Sequence, residues 1–195
     1  MVDFRTEGSL GSRIQAARKM RGMRSTKDLA GVIKGGNVTE SILENIESGR
    51  KVTLDVSQLL NIAMALRVPL SYLLVPLGHP DDVIDFPNLS DAFSGMTALE
   101  FDGWLTGTSE GVYAPATIEE RNAVAELQAL RAWAAQKTEV RRLEVVLELE
   151  RESLVGSDAT PYGRSTPERL SDARKEANRL SDFLTAAGWD LDAPH

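Results

Sequence analysis

The stretch STKDLAGVIKGGNVTESILENIESGRK, residues 25–51, decides the fold. It opens on Ser25, a residue type whose hydroxyl accepts from the free amides of a helix start. Leu29, Ala30 and Ile33 then follow at helical spacing. Lys34-Gly35-Gly36-Asn37 reads as a turn. A second helix is predicted from Thr39 to Ser48, with Ile42, Leu43 and Ile46 inward and Gly49 as its stop. Its other side is polar, presenting Glu40, Ser41, Glu44, Asn45 and Ser48. A short helix with one apolar and one polar side can pack on a neighbour and still offer a row of side chains outward.

Outward from this pair, the spacing predicts a helix over Leu10 to Arg21, with Leu10, Ile14, Ala17 and Met20 on one side and Gly22 ending it. Another is expected from about Asp55 to Leu66, capped by Thr53 or Asp55, with Val56, Leu59, Leu60, Ala63 and Leu66 inward. Pro69 to Leu74 reads as a short fifth helix. Pro76-Leu77-Gly78-His79-Pro80-Asp81-Asp82 has the composition of a domain edge, which divides the chain into a domain at 1–76, a connector at 77–116 and a helical unit at 117–195. The connector carries one short helix at Thr97 to Leu105, with Thr97 and Glu100 at capping-box spacing, and Phe86, Phe93, Phe101 and Trp104 as apolar anchors.

Thr117-Ile118-Glu119-Glu120 is a second capping box. It opens a long charged helix reaching about Leu154, with Leu127, Leu130, Trp133, Val140, Leu143, Leu147 and Leu154 at helical spacing. Gly156 to Ser165 reads as a turn, after which Thr166-Pro167-Glu168 starts the last helix. Leu170, Ala173, Ala177, Leu180, Leu184 and Ala187 recur by threes and fours before Gly188, the spacing of a coiled-coil seam. The expected class is all-α, ending in an antiparallel coiled-coil-like hairpin. The seam's partner is either the long helix of the same chain or a second subunit.

The formal net charge of -7 is unevenly distributed. Residues 1–76 hold eleven Lys/Arg against seven Asp/Glu, and residues 77–195 hold eleven against twenty-two. A polyanionic partner needs local positive charge, so the first part alone has the right sign for one. Cysteine is absent, which excludes a disulfide framework, a thiolate metal site and a cysteine nucleophile. No run approaches the ~18 apolar residues of a membrane span, and Asp3 and Glu7 stand where a signal peptide would be basic and then apolar. A cytoplasmic protein is expected. His79 and His195 have no second ligand at metal spacing, so no metal or cofactor is expected. The acidic runs Asp81 to Asp85 and Glu148 to Glu152 read as solvated surface, and Trp104, Trp133 and Trp189 as packing anchors. No glycine-rich phosphate loop and no nucleophile–base pair can be named, and no enzyme activity is expected.

The N-terminal third resembles the Cro-like, lambda-repressor-type helix-turn-helix proteins (the XRE family). The resemblance rests on Arg18 with Gly22, Ser25-Thr26-Lys27-Asp28-Leu29-Ala30, Ile46-Glu47-Ser48-Gly49-Arg50-Lys51, and Leu59-Leu60-Asn61-Ile62-Ala63-Met64-Ala65-Leu66 with Val68 and Tyr72-Leu73-Leu74 beyond. It implies a five-helix, lambda-repressor-like domain that binds double-stranded DNA with the helix at 39–48 in the major groove. Thr39, Glu40, Ser41, Glu44 and Asn45 then fall at or beside base edges, and Arg50 and Lys51 in a phosphate-holding loop, with Lys34 counted among the contacts. Glutamate can accept from cytosine N4. Thr26 stands where the family usually has a glutamine bracing a phosphate, and the turn at Lys34 to Asn37 is longer than usual. Arg18 and Glu47 occupy positions that commonly pair inside the domain. The implied function is a transcription regulator, a repressor of phage, prophage or bacterial type, working as a homodimer through the C-terminal helices. The alternative is an antitoxin or other interaction module whose acidic helical half binds a partner protein.

Overall fold

The computed structural model describes residues 3–51, 53–84, 86, 88–108, 113–153 and 165–191. Among them the secondary structure is eight α-helices, two short 3-10 turns and one isolated bridge between Val83 and Thr97, with no strand. The chain divides into two compact units, Met1–Thr106 with Glu110–Tyr113, and Gly107–Ser109 with Ala114–His195.

The first unit begins with α1 (Leu10–Met20), α2 (Thr26–Val32), α3 (Glu40–Glu47), α4 (Val56–Leu66) and α5 (Leu70–Leu74). Ile14, Leu29, Leu43, Ile46, Ile62, Leu66 and Leu73 are all buried in one core. Each of the first three helices starts at a hydroxyl cap: Ser9 Oγ accepts from Ser12 N–H at 3.1 Å, Ser25 Oγ from Asp28 N–H at 3.2 Å, and Thr39 Oγ1 from Ile42 N–H at 3.3 Å. Two arginines, Arg13 within α1 and Arg21 at its C-cap, serve the opposite ends of other helices. Arg13 donates to Leu73 O at 2.7 Å and Leu74 O at 2.6 Å, and Arg21 donates to Leu66 O and Arg67 O, both at 2.8 Å. These carbonyls have no partner within their own helices, so α1 closes the C-termini of α5 and α4.

The rotation of α4 departs from its expected face. Asp55 is the N-cap, but Val56 is 74% exposed and Leu60 50%, while Ile62 is fully buried. The run VSQLLNIAMAL is apolar on more than one stripe, so spacing alone does not select the inner one. A hydrogen bond from a buried side chain marks it: Gln58, 4% exposed, donates to Asn37 O at 3.0 Å. Met20, also expected inward, faces solvent, because the inner stripe of α1 ends in buried Arg18.

Most of the residues expected to form a connector, 77–106, belong to the first unit, and 107–109 and 114–116 belong to the second. Val75, Ile84, Ala98 and Phe101 make a second small core with Phe86, Phe93 and Met96 packed on it. Helix α6 (Ala98–Thr106) is capped reciprocally, Glu100 N–H to Thr97 Oγ1 at 3.2 Å and Thr97 N–H to Glu100 Oε2 at 2.7 Å. The four aromatic anchors pack on one another, with ring centroids 5.0 to 6.4 Å apart, around buried Phe101 while Trp104 stays exposed. The edge expected at 76 therefore lies past Thr106.

In the second unit α7 (Ile118–Ser153) and α8 (Thr166–Ala186) pack antiparallel. Thr166 Oγ1 donates to Glu150 at 2.7 Å at one end, and Trp189 Nε1 to Glu126 at 3.0 Å at the other. Leu170, Ala173, Ala177, Leu180 and Leu184 are buried, with Leu143 and Ala129 buried opposite them. The seam thus lies on α7 of the same chain and is not open for a second subunit. Ala187 is exposed at the C-cap, and Ser165, not Thr166, caps α8, accepting from Glu168 N–H at 3.4 Å. Thr117 Oγ1 accepts from Glu120 N–H at 3.1 Å, while the Glu120 carboxylate takes Ala116 N–H. Leu154, the turn at 156–164 and His195 lie outside the described residues. No helix among them is long and apolar enough to cross a membrane.

Gly11 fixes the approach of α1 to α3: a Cβ there would sit 2.2 Å from Ile46 O. Gly31, in α2, would place its Cβ in open space. Gly11→Ala is therefore expected to cost about 1–3 kcal/mol by forcing the two backbones apart, and Gly31→Ala to stabilise by about 0.5–1 kcal/mol through helix propensity. Thermal and denaturant unfolding followed by circular dichroism will show the opposite signs; equal effects would contradict the close contact.

Candidate nucleic-acid interface

Helix α3 is amphipathic in the sense its sequence predicts. Leu43 and Ile46 are buried and Ile42 is packed against the core, leaving Glu40, Ser41 and Glu44 exposed and Asn45 half-buried. The side chains of Glu40, Ser41, Glu44 and Asn45 make no hydrogen bond or ion pair within the described residues. A polar row with no internal partner is free to bond with something else. Thr39 is exposed, and its oxygen caps α3, which leaves its hydroxyl proton and one lone pair for an outside partner.

The orientation of this row is set by what holds α3. Arg18 on α1 and Glu47 at the end of α3 form a two-pronged pair, Nε to Oε1 and Nη2 to Oε2, both at 2.7 Å. Both side chains are 5% exposed. A third Arg18 donor reaches Met23 O at 2.9 Å, tying in the turn that leads to α2. The hydrogen bonds to Glu47 hold the Arg18 guanidinium above its ordinary value. The long turn between α2 and α3 is anchored as well. Val38 is buried, Asn37 Nδ2 donates to Ser57 Oγ at 2.8 Å, and Asn37 O accepts from Gln58. Lys34 stands exposed in this turn.

Helix α3 stops because Gly49 turns left-handed, at φ 74°. The chain then folds back, Lys51 N–H donating to Asn45 O at 2.9 Å. Ser48 joins the two sides of this turn: its hydroxyl donates to Asn45 O at 3.3 Å and accepts from Arg50 Nε at 3.0 Å. Sequence reasoning placed Ser48 on the outward side without giving it this role, and the Ser-x-Arg spacing was the available sign. At the start of α2, Thr26 is half-buried beside the exposed cations Arg24 and Lys27, neither of which was singled out from the sequence. Six cations or hydroxyls thus flank or sit on one helix-turn-helix: Arg24, Thr26, Lys27, Lys34, Arg50 and Lys51. Among the described residues no group of three His, Asp or Glu side chains could hold a metal ion.

The start of α2 also carries an acid-sensitive lock. Ser25 N–H donates to the Asp28 carboxylate at 2.8 Å, and this bond holds the Asp28 carboxyl below its ordinary 3.8. A depressed carboxyl contributes its stability above the unfolded-state value and loses it as pH falls through the folded one. Acid melts are therefore expected to show α2 loosening below about pH 4, and Asp28→Asn to flatten that limb; an unchanged limb contradicts the lock. Glu47→Ala leaves a buried cation unpaired and is expected to cost about 3–5 kcal/mol. The double variant Arg18→Met/Glu47→Leu should recover most of that loss in denaturant unfolding.

No known protein family matches the chain, and no curated protein or solved structure matches it.

Proposed function

We propose that the chain is a sequence-specific, double-stranded-DNA-binding transcription regulator, a repressor of the Cro-like helix-turn-helix type, with α3 as the helix that enters the major groove. One observation carries this reading: α3 is locked to α1 by the buried Arg18–Glu47 pair, while its outward row has no internal partner and is flanked by Arg50 and Lys51. A rigidly held helix with free hydrogen-bonding side chains and phosphate-range cations beside it meets the requirements of major-groove readout. Ser41 and Asn45 carry base recognition, and Glu40 and Glu44 accept from cytosine amino groups. Arg50 and Lys51, with Lys34 and Thr26, hold the backbone. One such domain covers a half-site, so two copies on half-sites a helical turn apart complete the operator.

A second reading is favoured by the two unpaired glutamates on the exposed row, together with the acidic second unit: an interaction module, such as an antitoxin, whose acidic surfaces bind a basic partner protein. Selection of duplexes from a random pool separates the two. The regulator is expected to enrich one sequence; Ser41→Ala and Asn45→Ala should each weaken it by about fivefold to a hundredfold, and Arg50→Ala should weaken all sequences alike. No enrichment, with a stoichiometric basic protein co-purifying, would replace the first reading by the second.

A further inference from the structure

Between the two cores of the first unit lies a cavity of about 500 Å³. Leu10, Ile46, Val75, Val83, Ile84 and Phe86 give it an apolar wall, and polar groups line the rest. That is the size and character of a small-molecule pocket. Room also comes from Gly8, where a Cβ would meet nothing within 4 Å.

Its polar lining includes two cations, Arg13 and Lys51, one acid, Asp82, and the hydroxyl residue Ser9. Arg13 is 3% exposed, and its three nitrogens donate only to backbone carbonyls, those of Leu73, Leu74 and Glu7. No carboxylate pairs with it among the described residues, and two of the five guanidinium N–H groups are left over. Burial lowers the Arg13 guanidinium to about 10, which still leaves it charged at neutral pH. Its hydrogen-bond partners are all neutral, and the Glu7 carboxylate acts on it through space without a hydrogen bond, so the guanidinium keeps spare donors beside the cavity. Lys51 is half-buried, and its ammonium makes no hydrogen bond or ion pair within the described residues. Asp82 is exposed, where water and salt screen its charge.

We infer that this cavity binds a small molecule carrying a carboxylate on an apolar body, the carboxylate answering Arg13 and Lys51 and the body lying against Ile46, Ile84 and Phe86. Lys51 also belongs to the loop assigned to phosphates, so ligand and duplex compete for one ammonium and the ligand acts as an inducer. That regulatory half rests on the DNA-reading proposal; the binding half does not.

Decanoate below its micelle-forming concentration is the probe, and decanol its uncharged control. Val83→Trp is the blocking variant, because Val83 is 59% exposed and its enlargement disturbs no buried packing; Gly8→Leu is a second. Titration calorimetry on the protein without DNA is expected to show one decanoate per chain. Decanol should bind at least about tenfold more weakly, and decanoate binding should be lost in both blocking variants at an unchanged melting temperature. Absence of decanoate binding, equal binding of decanol, or binding retained in the blocked variants overturns the site. With the selected duplex, decanoate should raise the Kd of the parent and not of Val83→Trp. An unmoved duplex affinity, with calorimetric binding intact, overturns the inducer role alone, whereas failure to bind any duplex overturns the DNA reading and leaves the calorimetric result standing.

Discussion

The first unit depends on one buried ion pair. Arg18 and Glu47 come from helices separated by a whole helix and a long turn, and they meet through two parallel hydrogen bonds with almost no solvent access. Such a pair adds little net stability compared with apolar residues of the same shape, because both ions must first lose water. What it adds is selectivity. Any arrangement that moves α3 relative to α1 leaves two charges in an apolar interior, and such arrangements are penalised far more heavily than the native one is rewarded. The angle of α3, on which the placement of its outward row depends, is the quantity this penalty protects.

Around that pair, α1 acts as a hub whose arginines each have a separate partner. Arg13 closes α5, Arg21 closes α4 and Arg18 holds α3. Guanidinium suits all three tasks, since its planar fork bonds two acceptors at once without losing its charge. The absence of a side chain at Gly11 complements the hub by letting the α1 and α3 backbones touch. Cation, carbonyl and glycine thus fix four helices against one another in a unit whose apolar core is small.

Where a single physical requirement governed a residue, the sequence was legible. Ser25 and Thr97 had to cap helices, Gly49 had to end one, and Leu29, Leu43 and Ile46 had to be buried, and all of this holds, whereas Thr39, expected inside α3, is its cap. Legibility ended where two elements compete for the same residues. The apolar run of α4 offers several inner stripes, and the one used is marked by a hydrogen bond from Gln58 to a loop carbonyl that no periodicity encodes. The connector's aromatic residues looked like anchors without a visible target, because their target is one another together with Val75, Ile84 and Ala98 from scattered positions. In the candidate interface, helix spacing identified the outward row of α3, but the bracing of Arg50 by Ser48 depends on a fold-back after Gly49 that spacing cannot express.

The internal engagement of the α1 arginines changes how the charge of this unit should be counted. Residues 1–76 carry eleven Lys/Arg, yet Arg13, Arg18 and Arg21 are committed to carbonyls and Glu47. The cations flanking the helix-turn-helix are Arg24, Lys27, Lys34, Arg50 and Lys51, so a duplex docking there would release the counterions of about five phosphates at most. Association would then depend on ionic strength with a shallow slope, and little non-specific affinity would remain at physiological salt. In the proposed DNA-binding role, a domain built this way would rely on base contacts to stay bound and would be held only weakly by the rest of a genome.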